Sequence, residues 1–289
     1  MERNLLGALL FICAPVATAQ VWSADLVQEG DGHAGTIIQT GDGDSGEAAL
    51  YQSGSDHDAR IQQTRTEAAS AMIEQTGAGH FGLIAQLRGN SGAAIGQSGG
   101  EANTATILQN RAWDSLAEVG QLDTSHTRGV IDQTGASLSG AIDQQGQELS
   151  SAQIQQRGED LFAIVVQEGA TGGYNNVAYV WQIGTSDSTA EIRQSDDEYG
   201  RATIVQSGAE ASNATIWQTG LRNRASVDQE GTGNEALTVQ DGNRNLAYTV
   251  QQGTGGFGAN YAGVDQSGAR DFATVAQLGS GNFAMVTQY

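Results

Sequence analysis

A chain of 289 residues with a formal net charge of -20, 40 Gly, one Pro and one Cys is long enough for one large domain or two. Aromatic residues at 6% and glycine at about twice its usual share argue against an ordinary globular enzyme. There is no Lys, so every cation is Arg; an acidic surface of this strength disfavours nucleic acid and anionic membranes and keeps a self-adhesive chain soluble.

The first segment, residues 1–19, reads as a signal peptide. Arg3 precedes the apolar run Leu5 to Ala14, and Ala17-Thr18-Ala19 places small residues at the cleavage positions, so the mature chain begins near Gln20. The run is too short to span a bilayer, and no membrane insertion is expected. Cys13 invites a lipid anchor, but Ile12 is bulky where that cleavage wants a small residue. The mature chain enters an oxidising compartment with neither Cys nor Pro. Without disulfides its stability must come from a repetitive architecture.

From Gln28 to Gln288, 23 glutamines recur at spacings of 11 to 13 residues, with two gaps of 15. Four residues before each stands Ala, or Gly at Gly35, Gly82, Gly129 and Gly140. Two before each stands Ile, Val or Leu, with Thr238 and Thr249 the departures; two after, Gly occupies 17 of 22 places. Fixed residues at every second position specify one face of a β-strand, because successive side chains point to opposite sides. The fixed face is inward, with Ala where the walls approach, a branched aliphatic for bulk and Gln beside the turn. Gly after Gln supplies the positive φ of a tight turn. A buried Gln without partners costs a few kcal/mol, but stacked in register its amide meets the next rung's amide. The same logic covers the position six before Gln, where Asn103, Asn176, Asn223, Asn234, Asn245, Asn260 and Asn282 recur.

Two strands and two turns make a rung of about 23 residues, and the repeat number predicts about 11 rungs, roughly 50 Å of solenoid. The expectation is an all-β fold: residues 20–289 as one two-sided β-solenoid of 23 half-repeats, with inward Asn/Ser, Ala, Ile/Val and Gln ladders. The 15-residue gaps carry Thr171-Gly172-Gly173-Tyr174 and Thr254-Gly255-Gly256-Phe257. They follow strands of opposite parity and so fall on opposite edges.

The repeats over essentially all of residues 24–289 resemble the curlin repeat of bacterial curli amyloid subunits. Gln240, Gly242, Asn245, Ala247 and Gln251 stand at that motif's spacing. The pattern is complete again at Gln218, Asn223, Ala225 and Gln229, at Gln229, Asn234, Ala236 and Gln240, and at Gln277, Asn282, Ala284 and Gln288. Between Gln266, Ala273 and Gln277 it holds with Asp271 in the Asn place. These residues are the candidate assembly ladder, and the closing Gln288-Tyr289 is similar to the end of the major curli subunit. The resemblance implies a secreted subunit that adds end to end into a fibre on the bacterial cell surface, serving biofilm matrix and adhesion. It implies partners too: further copies of itself, a minor nucleating subunit, an outer-membrane secretion channel and periplasmic chaperones. The chain departs from the family in carrying more repeats and in lacking the Gly/Asn-rich targeting segment after the signal peptide.

Other chemistry finds little support in the pattern, and neither cofactor nor catalytic site is expected. His33, His57 and His80 sit six before a Gln and read as column members on non-adjacent rungs; His57 with Asp56 and Asp58 is the best remaining metal candidate. Gly41 to Gly46 fits a nucleotide-loop spacing but is followed by another strand rather than a helix. That loop and Asp196-Asp197-Glu198 could offer carboxylates to Ca²⁺, yet no loop repeats the ligand spacing. Trp181 and Trp217, each just before a Gln, read as outward surface residues. An ice-binding solenoid would want a regular Thr array, whereas the places before Gln run Ile38, Tyr51, Gln62, Glu74, Ala85 and Gly96. A monomeric solenoid adhesin, which would need capped ends, and a minor fibre nucleator are the alternative readings.

The repeats are uneven. Arg65, Arg88, Arg111 and Asp123 replace the turn glycine in the first half, with Asp196 the later case, whereas complete Asn-containing repeats cluster after Gln218. A peptide spanning residues 218–251 should therefore nucleate faster than one spanning 52–86. Thioflavin lag times compare them, and equal or slower assembly of the former would remove the C-terminal third as the driver.

Overall fold

The computed structural model describes residues 9–13, 21–41, 45–253 and 258–289. Among them are 24 strands, numbered in chain order from β1 (Leu9–Cys13), β2 (Val21–Asp31) and β3 (Ala34–Thr40) to β22 (Asn260–Ala269), β23 (Phe272–Leu278) and β24 (Phe283–Gln288). Odd-numbered strands form one sheet of 12 and even-numbered strands the other, each in strict sequence order and parallel throughout. The chain thus alternates between two facing sheets and climbs one rung for every two strands. This is the two-sided β-solenoid that the repeat predicts, and the described residues contain no helix long and apolar enough to cross a membrane.

Every glutamine in the series pairs with its equivalent one rung away, as in Gln52 with Gln75 and Gln109 with Gln133. A slip of one residue would turn the whole inward set to solvent, so the alternation of small, branched and amide side chains holds the register. Ile61, Ile84, Ile107, Ile131 and Ile154 are fully buried on one sheet, facing Leu50, Ile73, Ile95, Val119 and Ile142 on the other. Each contributes roughly 1.5–3 kcal/mol. Glycine replaces alanine where the walls close in: a Cβ on Gly82 would lie 3.0 Å from Ile73 Cγ2.

The turns solve the chain reversal in two ways. At Gly54 φ is +127, and a Cβ would run into the carbonyl oxygen of Gly77 one rung away, so only glycine fits. Where Arg65, Arg88, Arg111, Asp123 and Asp196 stand in the glycine place, φ lies between 48 and 61. That is the left-handed helical region, which a non-glycine residue enters at a cost of about 1–2 kcal/mol. Of the two insertions, that of residues 171–174 forms the end of β14 (Phe162–Tyr174), on the edge joining even to odd strands; residues 254–257 of the other lie outside the described residues.

Residues 9–13, within the expected signal peptide, form β1 and pair with β3 along its outer edge, Ile12 opposite Gln39. Its proposed cleavage positions, 17–19, lie outside the described residues.

The apolar core is broken once. One buried cluster runs from Ile37 to Ala236 and a second begins at Ala247. Between them lie Thr238 in β20 (Asn234–Asn243) and Thr249 in β21 (Leu246–Gln252), both fully buried, with hydroxyls that have no hydrogen-bond partner. An unpartnered buried hydroxyl costs about 1–3 kcal/mol. Replacing Thr238 and Thr249 with Val should join the clusters and raise the urea midpoint. An unchanged or lower midpoint in the double variant would show that these hydroxyls are satisfied in solution.

Candidate functional site

The inward glutamines form two continuous ladders. Along the even sheet, Nε2 of each Gln from Gln28 onward donates to Oε1 of the next, through Gln218, Gln240 and Gln266 to Gln288, at 2.7 to 2.9 Å. Along the odd sheet the chain runs from Gln39 through Gln229 and Gln251 to Gln277 at 2.8 to 3.0 Å. The second proton of many of these amides crosses to the facing sheet, as from Gln133 to the Leu116 carbonyl at 2.9 Å and from Gln229 to Asn213 at 2.9 Å. One side chain thus joins its own sheet to the next rung and to the opposite wall.

Both ladders point the same way, from low residue number to high. Gln39 Oε1 is buried and unpartnered at one end. At the other, Gln277 and Gln288 donate to the backbone of Tyr261 and Phe272 and have no further glutamine to reach. Beside them the apolar residues Leu278, Phe283 and Met285 are 74%, 73% and 61% exposed. Of the alanines in the late repeats, Ala225, Ala236, Ala247 and Ala273 are buried, and Ala284 on β24 is half-buried.

The asparagines behave differently from the glutamines. Asn223 and Asn245 lie on one edge of the solenoid, followed by Asp271, whereas Asn234, Asn260 and Asn282 lie on the other. Most act as turn clamps. Asn223 Nδ2 donates to the carbonyl four residues back, Thr219, while its Oδ1 accepts from the Asn245 backbone N–H at 3.0 Å. Asn245 repeats this with Asp241 and Asp271. In the late repeats amides stack on the second edge: Asn260 donates to Asn234, and Asn282 to Asn260, at 2.9 and 3.1 Å. On the first edge Asn176 reaches the amide of Gln147 at 3.0 Å, whereas Asn223 and Asn245 bond to their own turns, because the shorter side chain reaches these more readily than the next rung's Asn.

The histidine reading needs correction. A separation of 23 or 24 residues is one full rung, so His33, His57 and His80 stand on successive rungs, with ring centroids 5.0 and 5.1 Å apart and nearly parallel planes. They reproduce the Asn clamp. Each Nε2 lies 3.0 to 3.3 Å from the carbonyl four residues back, of Glu29, Ser53 and Thr76. Each Nδ1 accepts the backbone N–H of the next column member, the last being Asn103. Nδ1 facing an N–H must be unprotonated, so the neutral Nε2–H tautomer is the one that fits. Burial holds the pKa of both His57 and His80 below the usual histidine value, and each is lowered further by its histidine neighbour, although Asp56 and the backbone carbonyls oppose the shift.

The other sequence candidates do not converge. His57 is buried whereas Asp56 and Asp58 are exposed, and no group of three or more His, Cys, Asp or Glu among the described residues could hold a metal ion. Residues 42–44 of the Gly41 to Gly46 loop, and the side chain of Asp197, lie outside the described residues. Trp181 and Trp217 are exposed on opposite sheets. The sequence already shows Arg65, Arg88 and Arg111 in the turn-glycine place, whereas the stacking of the histidines emerges only on counting residues per rung.

Residues 259–289, covering β22 to β24, match a family model described as the curlin associated repeat. No curated protein matches the chain.

Protonation would set an N–H on Nδ1 against a backbone N–H and place cations on neighbouring rungs. Because the folded pKa values lie below the unfolded value near 6.5, the stabilisation is complete above that value and is lost as pH falls from it through the folded pKa values. The urea midpoint should therefore drop between about pH 7.5 and about pH 5. Substituting His33, His57 and His80 by Asn keeps the clamp and should flatten that part of the profile; a profile that stays as steep would absolve the histidines.

Proposed function

We propose that this chain, a member of the curlin family, is a structural subunit that joins copies of itself end to end into extracellular fibres. The polarity of the glutamine ladders carries the reading. One end presents amide donors at Gln277 and Gln288 with no next rung, and the other presents acceptors at Gln28 and Gln39. A second copy placed above the first would continue both sheets, both ladders and the Ala and Val columns without changing direction. The outer strands β23 and β24 pair on one side only among the described residues, and a strand edge of this kind is a template for another chain. The exposed apolar residues around it would be covered by the same step.

The complete late repeats from Gln218 to Gln288, with their Asn and Ala members, would form the growing end. Export fits the same scheme: removal of residues 1–19 would take β1 off β3 and free the edge that contains the unpartnered Gln39 acceptor. A minor nucleating subunit, an outer-membrane channel and periplasmic chaperones complete the proposal on family resemblance alone, as do a biofilm matrix and adhesion as the fibre's setting.

Electron microscopy of the mature protein, left at micromolar concentration with Congo red binding measured alongside, tests this. Fibres that bind the dye are expected; persistent monomers would favour the solenoid adhesin instead. With a net charge of -20, lower pH or added salt should shorten the thioflavin lag by reducing repulsion between subunits. A lag indifferent to both would mean that charge does not limit assembly.

A further inference from the structure

Five of the arginines in this acidic chain gather on one edge of its last rungs. The turns from even to odd strands hold residues in left-handed conformation, and late in the chain these include Asp196, Tyr199, Arg222, Arg244 and Arg270. Two residues on, Arg201 and Arg224 are paired neighbours at the starts of their strands. Tyr199, Arg201, Arg222, Arg224 and Arg244 line a groove of about 550 Å³ whose walls contain no carboxylate. Arg222 lies over the Tyr199 ring, 5.5 Å from its centroid, which steadies the guanidinium. The ion pairs among the described residues, Arg157 with Asp132 and Arg193 with Glu191, involve none of the five.

Over three consecutive later rungs the opposite edge carries the complementary charge, whereas its earlier turns hold Arg65, Arg88 and Arg111. There the left-handed turn residues include Asp114, Asp160 and Asp187 on the odd-to-even turns. Glu159 and Glu210 precede the turn residues on the same edge. All five are exposed. Asp160, Asp187 and Glu210 follow one another rung by rung, as do Arg201, Arg222 and Arg244, at about 4.8 Å, so the two edges match in spacing there without adjustment. A flexible polyanion has no such built-in match.

We propose that the arginine groove is a lateral docking site for the acidic edge of a second copy of this chain, aligned parallel to the first. A sideways neighbour displaced by one to two rungs, roughly 7 Å along the axis, sets Asp160, Asp187 and Glu210 against Arg201, Arg222 and Arg244. The contact uses different edges on the two copies, so it leaves each partner's other edge free and propagates into a ribbon. It rests on the fibre reading only in that fibres present many such contacts at once.

The test compares mature wild-type protein with R201S/R222S/R244S and with R60S/R128S/R193S, which has the same net charge. Thioflavin growth rates report elongation, and electron microscopy reports how many fibres lie side by side. Wild-type and control fibres should bundle at low salt and separate at high salt, whereas the groove variant should remain single while elongating at the control's rate. D160R/D187R/E210R should also stay single, and mixing its fibres with those of R201E/R222E/R244E should restore pairing. Groove-variant fibres that bundle like the control would overturn the proposal. So would a groove that binds a polyuronate or a DNA duplex while bundling ignores all these substitutions. If no fibres form, the end-to-end reading fails by itself; sedimentation velocity then decides the lateral contact, through a salt-sensitive pairing that the groove substitutions either abolish or leave intact.

Discussion

The buried glutamine amide is the constraint on which the rest of the structure depends. It brings two donors and one acceptor into an otherwise apolar interior, and leaving them unmet would cost more than a typical hydrogen bond contributes. The rung above supplies an acceptor, the rung below a donor, and the facing sheet a carbonyl. No smaller unit satisfies all three. A single rung is therefore unstable alone, and each added rung repairs the one beneath it, which makes the architecture a one-dimensional stack whose stability grows through neighbour contacts.

Much of this was legible in the chain, for a physical reason. The inward face has so little room that each position accepts one kind of side chain, so the strand period, the parity of the insertions and the two-sided cross-section follow from Gln28 to Gln288 alone. Legibility failed where different side chains perform one hydrogen-bonding task. His57 presents an acceptor toward the next rung and a donor toward its own turn, as Asn245 does, yet imidazole and carboxamide do not resemble each other in a sequence. The same applies at the turns. Arg88 and Gly184 share a left-handed φ near 60; the repeat register places both two residues after a Gln, but the residue type alone does not announce a left-handed arginine.

Thr238 and Thr249 illustrate the opposite case. They stood out in the sequence as departures from the aliphatic column, and they coincide with the single break between buried clusters. The residues beyond that break include those that match the curlin associated repeat. The segment that matches that family model is thus attached to the remainder through hydrogen-bonded ladders that stay intact while the apolar packing does not. Backbone pairing and glutamine contacts carry the continuity there, which shows that the amide ladder and the aliphatic column are separable contributions to the stack.

That separation also explains where charge could accumulate. Ladder and core positions admit almost none, so Arg and Asp are left to the outer faces and turns, where a left-handed backbone needs only a modest stabilisation from its surroundings. Along the axis, specificity then resides in hydrogen-bond direction and register, which ionic strength hardly alters. Across the axis it resides in the sign of the edge, which salt screens within about 10 Å. A solenoid built this way keeps two modes of contact chemically independent: substitutions at Arg222 or Asp187 touch neither the Gln ladder nor the aliphatic column, and substitutions at Gln133 or Ile131 leave the charged edges unchanged.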